Sequence, residues 1–335
     1  MQWRDGLLWQ RLGVRVPVIQ APMAGGASTP RLAAAVSQAG GLGSLAGGLL
    51  SPDALRAAIC EVRGLTDRPF AVNLFAPLPE PSTSGTAEWA TLTGAPEVPA
   101  LPPAPRLADQ LAVVIAEQVP VVSFTFGIPE LPSMAALVLG TATTVAEATA
   151  LERAGVDAVI AQGYEAGGHR ATFLAPADNS LIATMALVPQ IAGAVSVPVI
   201  AAGGIMDGRG VAAALALGAE AVVMGTAFLA CDEAGVSQPY RAVLGSDTTV
   251  TAVMTGRHAR VVRTPLVDRL EASGLRPPDF PLPLFLAPES PVFAGQAGRL
   301  ARSMPAAELV RTVAQEADDV LRRLAGESQP RAAQP

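Results

Sequence analysis

The stretch 161–173, AQGYEAGGHRATF, holds the densest group of chemically capable side chains in the chain. His169 is one of only two histidines in 335 residues, and it follows the pair Gly167 and Gly168. An imidazole can hold an anion or move a proton near neutral pH. The glycine pair lets the backbone bend sharply and come close to a ligand. Gln162, Glu165 and Arg170 add hydrogen-bonding groups, and Glu165 is a candidate orienting partner for His169. A lone histidine beside such a turn could equally be a solvated loop residue. The elements that carry it decide between the two.

Short apolar runs recur along the chain and read as strands: 16–21, 41–46, 70–75, 121–126, 137–141, 156–162, 197–202 and 221–225. Helical patterns at 30–39, 51–62, 107–118, 145–154, 181–195 and 210–217 separate most of them. Ser28 or Thr29 is placed to cap the first, and Ser51 followed by Pro52 opens the second. Eight strands alternating with helices predict a (β/α)8 TIM barrel rather than an open doubly wound sheet. One connection is thin: ten residues with Pro129 and Pro132 separate strands four and five, so a short or distorted helix is expected there. The stretch 76–106 is a proline-rich insertion after strand three, since the strand–helix rhythm resumes beyond it. The barrel is expected to occupy 1–230. Residues 231–335 form a C-terminal helical extension that completes the outer ring and covers the active-site face, with frayed ends at 328–335.

In such a barrel the site lies at the C-terminal ends of the strands. Met23, Asn73, Thr125, Gln162 with His169, Gly203 with Gly204, and Gly225 with Thr226 all fall there. Asn73, inside an apolar strand end, is either a hydrogen-bonded structural residue or a ligand contact. Glycine turns after strands seven and eight make a phosphate cradle of backbone N–H groups, or are tight turns only.

Half the residues are apolar and 16% are charged, which suits a packed core and excludes disorder. The net charge of −6 disfavours nucleic acid as the main partner. No signal peptide is read at the N-terminus, and the apolar stretch 195–230 is broken by Gly, Pro, Asp207, Arg209 and Glu220, so no membrane span is expected. Cys60 and Cys231 lie far apart and read as packing residues of a reduced, cytoplasmic protein. No His, Cys or carboxylate cluster suggests a metal, and His258 reads as a surface residue among arginines. A homo-oligomer is compatible with this composition.

QAPMAG, VNLF, VSFTFG, TATTVAEA, AQGYEAGGHRATF, PVIAAGGI, MGTAF, TGRHAR and AGQ, spread over 16–302, together resemble the nitronate monooxygenases (2-nitropropane dioxygenases), class I. Flavin-dependent enoyl-(acyl-carrier-protein) reductases share EAGGH and AAGGI; HRATF and VSFTFG favour the nitronate branch. The resemblance implies non-covalent FMN, with the backbone of Ala21, Pro22 and Met23 along the isoalloxazine. It implies that Asn73 and Gln162 hydrogen-bond the flavin with Gly167 close by. It further implies that Gly203, Gly204, Met224, Gly225 and Thr226 hold the phosphate, and that His169 is the catalytic residue. The implied reaction is oxidation of an alkyl nitronate by O2 to a carbonyl compound and nitrite. NAD(P)H-dependent reduction of enoyl thioesters or quinones is the alternative, and a non-catalytic flavin- or phosphate-binding protein a third. The chain departs from the family pattern in the stretch after Gly127, the 77–105 insertion, Ala227 in place of Arg, and Val261 and Val262 within a usually basic segment.

Overall fold

The computed structural model describes residues 3–326 apart from 5, 96–104, 175 and 288. Eight parallel strands form the centre: β1 (Val18–Gln20), β2 (Gly43–Ala46), β3 (Phe70–Phe75), β4 (Val121–Thr125), β5 (Leu137–Ala142), β6 (Ala158–Gln162), β7 (Val199–Ala202) and β8 (Ala221–Met224). Each pairs with its neighbour in the chain, and β8 returns to β1. An Ile19–Leu42 bridge closes the ring, with Leu42 N–H donating to Val18 O and Gln20 N–H to Leu42 O. The fold is the expected (β/α)8 barrel. Its strands are buried on both faces, which is why they read as continuous apolar runs rather than alternating ones.

The outer helices begin where the sequence provides caps. Thr29, Ser51 and Thr144 each accept a hydrogen bond from a backbone N–H three residues on, at 3.0, 3.2 and 3.2 Å. Such caps stabilise by about 1 kcal/mol each. Pro30 and Pro52 fill the first helical position. Cys60 corrects the packing expectation: it is exposed, because the buried stripe of helix Pro52–Leu65 runs through Leu55, Ile59 and Val62 and position 60 falls outside it. Cys231 is buried as expected, and burial pushes its thiol up to about 12.

Between β4 and β5 the expected short helix does not form among the described residues; 126–136 is irregular. Pro129 and Pro132 remove two backbone donors from a stretch too short to build a turn without them. The insertion, conversely, contains a helix, Thr86–Thr93, bounded by Gly85 and Gly94 at positive φ. Its Trp89 is buried in a satellite core with Val253, Met254, Leu266, Leu270 and Leu286 of the C-terminal segment. Insertion and extension are therefore built against each other, above the barrel. The ends of the insertion's proline-rich part (96–104) and the frayed tail (328–335) lie outside the described residues.

The C-terminal segment does two things. Helix Ala306–Leu324 packs against helices Gly208–Ala216 and Pro30–Gln38, filling the outer ring where the barrel closes. Before it, an antiparallel pair that the sequence reading does not resolve, β9 (Thr248–Thr251) and β10 (Ala259–Val262), crosses the mouth.

Glu147, in helix Val145–Arg153, is fully buried and ties this upper layer to the barrel. Its carboxylate accepts from Thr143 N–H and hydroxyl at 2.7 and 2.6 Å, Thr172 hydroxyl at 2.8 Å, and Phe173 and Leu174 N–H at 2.6 and 3.2 Å. Burial alone would raise its pKa, but the bonds from Thr143, Phe173 and Thr172 outweigh it and hold the group below the ordinary value. Glu147→Ala should destabilise the fold by about 3 kcal/mol in urea unfolding, since each hydrogen bond to a buried charge contributes about 1.5–3 kcal/mol. The folded pKa lies below the unfolded one. The wild-type advantage should thus be complete above the carboxylate range and shrink as pH falls through the lowered pKa.

Candidate active site

Strand register brings the expected residues to one rim. Gln162 pairs with Ala202, and Ala202 with Val223, so the turns 203–204 and 224–226 leave the barrel side by side. Gln20 pairs with Met224, which sets Ala21 against Gly225. Ala21 N–H donates to Met224 O at 2.9 Å. Ser28 pins the Ala21–Met23 turn: its hydroxyl accepts from Met23 N–H at 2.8 Å and donates to Ala21 O at 3.2 Å. Pro22 and Met23 remain partly exposed at the rim. Met224 is buried, so its side chain faces the core and only its backbone reaches the turn.

Gly204 and Gly225 form an open floor, while Gly203 is packed. A Cβ on Gly225 would meet only Ala21 Cβ at 3.4 Å, and one on Gly204 only the Glu165 side chain, from 3.5 Å, whereas one on Gly203 would come within 2.8 Å of Thr184 Oγ1. Gly203 and Gly204 take φ of 117° and 72°, conformations that favour glycine. Among the described residues the N–H groups of Gly203, Gly204, Gly225 and Thr226 donate no hydrogen bond. The Thr226 hydroxyl is committed, accepting from Gly295 N–H at 2.8 Å. Across the mouth, Asn73 Oδ1 accepts from the hydroxyls of Ser123 (2.9 Å) and Thr125 (3.1 Å), leaving its amide NH2 as an unengaged donor.

The loop bearing His169 is held by backbone and by side chains other than the imidazole. Gln162 Nε2 donates to His169 O at 2.9 Å, while its Oε1 accepts from Arg170 Nη1 and Ala171 N–H, both at 3.0 Å. Arg170 is buried; its guanidinium also donates to the carbonyls of Gly163 and Ser180, each at 2.8 Å. Residues Gly168–His169 form a two-residue strand against β10, with His169 opposite Ala259. Gly167 lies flat on the Ala294–Gly295 backbone, where any Cβ would come within 2.7 Å. Gln162 and Gly167 thus position the loop. Glu165 is no partner of His169: its carboxylate accepts from Thr184 N–H and hydroxyl, both at 2.8 Å for Oε2, at the start of helix Thr184–Ala192. Helix-terminal donors attract a carboxylate more strongly than a neutral ring.

The His169 ring stands among phenylalanines. Its centroid lies 5.1 Å from Phe280, 5.5 Å from Phe293 and 5.9 Å from Phe126. Phe75 joins them, 4.9 Å from Phe126. The residue is partly exposed, yet Nε2 is buried without a hydrogen-bond partner. Burial, with the Arg257 charge, pushes its pKa down to about 3, so the ring is neutral at physiological pH. Arg257 lies 4.0 Å over the Phe126 ring and donates to Thr172 O. It also lines a cavity of about 260 Å³ with Arg170, Phe173 and His258. His258 itself is partly exposed, 4.0 Å from Asp178, but the arginines beside it in TGRHAR are not on the surface: Arg257 is partly buried and Arg260 fully so.

Sequence reasoning misses Phe126, Phe280, Phe293, Arg257 and Glu147. VSFTFG and TGRHAR carry signals for Phe126 and Arg257; Phe280 and Phe293 sit in irregular chain with no periodicity to mark them.

An eight-stranded barrel with a glycine floor, a lone neutral histidine and an aromatic wall at the strands' C-terminal ends defines a (β/α)8-barrel enzyme. The family model described as nitronate monooxygenase matches residues 6–316. The nitronate monooxygenase of Paraburkholderia phytofirmans is 42% identical, over 93% of this chain and 95% of that protein. A nitroalkane oxidase from Streptomyces ansochromogenes superimposes with a TM-score of 0.87 at 39% identity, covering 94% of this chain and 99% of that one. FabK from Thermotoga maritima follows at 0.74 and 34%, covering 96% and 98%. The chain belongs to the nitronate monooxygenase family and is an oxidoreductase.

Proposed function

We propose that the protein oxidises alkyl nitronates with O2 to a carbonyl compound and nitrite, using FMN held at the strand ends. The carrying observation is the neutral His169, fixed at the rim beside a glycine floor whose N–H groups are unengaged. The residues fit FMN. The N–H groups of Gly203, Gly204, Gly225 and Thr226 lie at neighbouring strand ends and are unengaged, which suits an anionic phosphate. The space before Gly204 and Gly225 is open, and the Asn73 amide offers a donor to the ring system. The bound flavin supplies the redox chemistry, accepting an electron from the substrate and passing reducing power to O2.

The protein's own part is positioning. A neutral imidazole offers one N–H donor, which can hold a nitronate oxygen without a proton leaving the ring. With a pKa of about 3 it is a weak base, poorly suited to removing a proton from carbon. That favours the anionic nitronate over the neutral nitroalkane as substrate. The phenylalanines keep water from this contact.

Purified protein should be yellow and release FMN on denaturation. Mixed anaerobically with an alkyl nitronate, its visible absorption should bleach rapidly; mixed with NADH or NADPH, it should not. Rapid bleaching by a nicotinamide alone would replace this reading with the reductase one, which the FabK likeness supports. Colourless protein that FMN cannot reconstitute would remove both.

A further inference from the structure

The cavity of about 260 Å³ opens between the chain that follows His169 and the turn joining β9 to β10. Arg170, Phe173, Ala177, Gly256, Arg257 and His258 line it, and none of the residues assigned to the flavin does. His169 and Arg170 are neighbours in extended chain, so their side chains leave on opposite faces. The imidazole goes to the phenylalanines, while the Arg170 guanidinium goes to the carbonyls of Gln162, Gly163 and Ser180. The cavity shares the Arg170 face of the loop, and His169 does not line it.

Its cations lack carboxylate partners. Every acceptor found for the Arg170 guanidinium, among the described residues, is a neutral oxygen of Gln162, Gly163 or Ser180, and its Nε is buried without a partner. Arg257 donates to Thr172 O and rests 4.0 Å over the Phe126 ring; it makes no ion pair among the described residues, and its Nε is likewise buried without a partner. Glu147 acts on both charges through space, but its carboxylate already accepts from Thr143, Thr172, Phe173 and Leu174. Asp178 faces His258 at 4.0 Å from an exposed position. Burial pushes Arg170 down to about 10 and lowers Arg257, the direction expected of cations short of counter-charge. A buried cation left this way is costly, and the planar fork of donors on a guanidinium matches a carboxylate.

We infer that this cavity is a binding site for a small free carboxylate, held by Arg257 beside Arg170. Arg257 also links the cavity to the reaction. Its charge acts on His169, and its guanidinium rests on Phe126, whose ring lies 5.9 Å from the imidazole. A carboxylate on Arg257 offsets that charge, so an anionic nitronate at His169 binds less tightly. The site rests on the cavity's own residues; only this effect on turnover rests on the nitronate reading.

The test is calorimetry of the flavin-loaded protein with sodium acetate in a zwitterionic, chloride-free buffer, with acetamide as the neutral match. Acetate should bind at a single site with a dissociation constant on the order of 1 mM, and acetamide should not bind. Arg257→Gln should weaken acetate by at least about tenfold, and Arg257→Lys should recover part of the loss. Ala177→Phe fills the cavity without removing a charge. It should abolish acetate binding and leave turnover unchanged, which keeps the test sound if the arginine variants fold poorly. His169→Phe should bind acetate as wild type does. With a simple alkyl nitronate as substrate, acetate should raise KM by roughly fivefold and then level off, with kcat unchanged. Arg257→Gln should start near that raised KM and no longer respond. Absence of acetate binding in the wild-type protein, or its loss in His169→Phe, overturns the proposal. So does a KM that climbs without limit together with preferential use of a nitronate ending in a carboxylate, which would make the cavity the seat of the substrate's own tail. If no nitronate is turned over, the reaction reading fails, and the calorimetry still decides the cavity.

Discussion

His169→Phe should lower nitronate turnover by roughly 10²–10³-fold, the usual cost of removing one well-placed hydrogen-bond donor from a developing charge. Flavin should stay bound. The substitution keeps a ring of similar size against Phe126, Phe280 and Phe293, and the loop is held by other groups: the Gln162 amide on the His169 carbonyl, Arg170 on the carbonyls of Gly163 and Ser180, and the pairing of His169 with Ala259. His169→Asn should lose less, because its amide still offers a donor. The wild-type pH–rate profile should show no limb from this residue between about pH 5 and 9, since its pKa is pushed down to about 3. Stability moves with pH in the same direction as for Glu147, though in a higher window. The folded pKa of His169 lies below the ordinary 6.5, so the unfolded chain takes up the proton first and wild type loses stability as pH falls from about 6.5 toward 3. His169→Phe removes that loss and should be the more acid-tolerant protein. Wild-type turnover in the Phe variant would take His169 out of the mechanism.

Gly225→Val should give a folded protein that does not retain flavin. Gly225 has φ −104°, open to any residue, and a Cβ there meets only Ala21 Cβ at 3.4 Å, so a side chain fits the protein's own packing. What it fills is the open space beside the unengaged N–H groups of Gly204, Gly225 and Thr226. The variant should show the wild-type circular dichroism spectrum and unfolding midpoint, with flavin affinity lowered at least about a hundredfold by the clash and lost donor access. Gly167→Val makes the contrast. Its side chain would drive into the Ala294–Gly295 backbone at 2.7 Å, so there the fold itself should suffer. Normal flavin content in Gly225→Val would place the phosphate elsewhere.

The barrel was legible because its strands are buried on both faces and two of its helices open with Thr29 and Ser51, signals that local chemistry makes strong. The glycine turns at the strand ends were legible for the same reason, as the pair Gly203 and Gly204 after strand seven and the single Gly225 after strand eight. The connector after Phe126 was misread because strand–helix alternation predicts a helix where two prolines forbid one. Glu165 was misread because its neighbour in sequence is His169, while its neighbour in space is the N-terminus of helix Thr184–Ala192. The roof was scarcely legible. Phe280 and Phe293 reach His169 from irregular chain, and no pattern of period two or 3.6 announces a contact made across such a distance in sequence.

That division between floor and roof also sets the order in which the site can come into being. A growing chain that has reached Thr226 has supplied every barrel strand and every glycine of the floor, but neither Ala259, which pairs with His169, nor the Ala294–Gly295 backbone on which Gly167 rests. The His169 loop is therefore among the last parts to settle during synthesis, because its partners emerge from the ribosome long after it does. The glycine floor can form early, whereas the His169 loop is completed only when the final third of the chain folds back over the mouth.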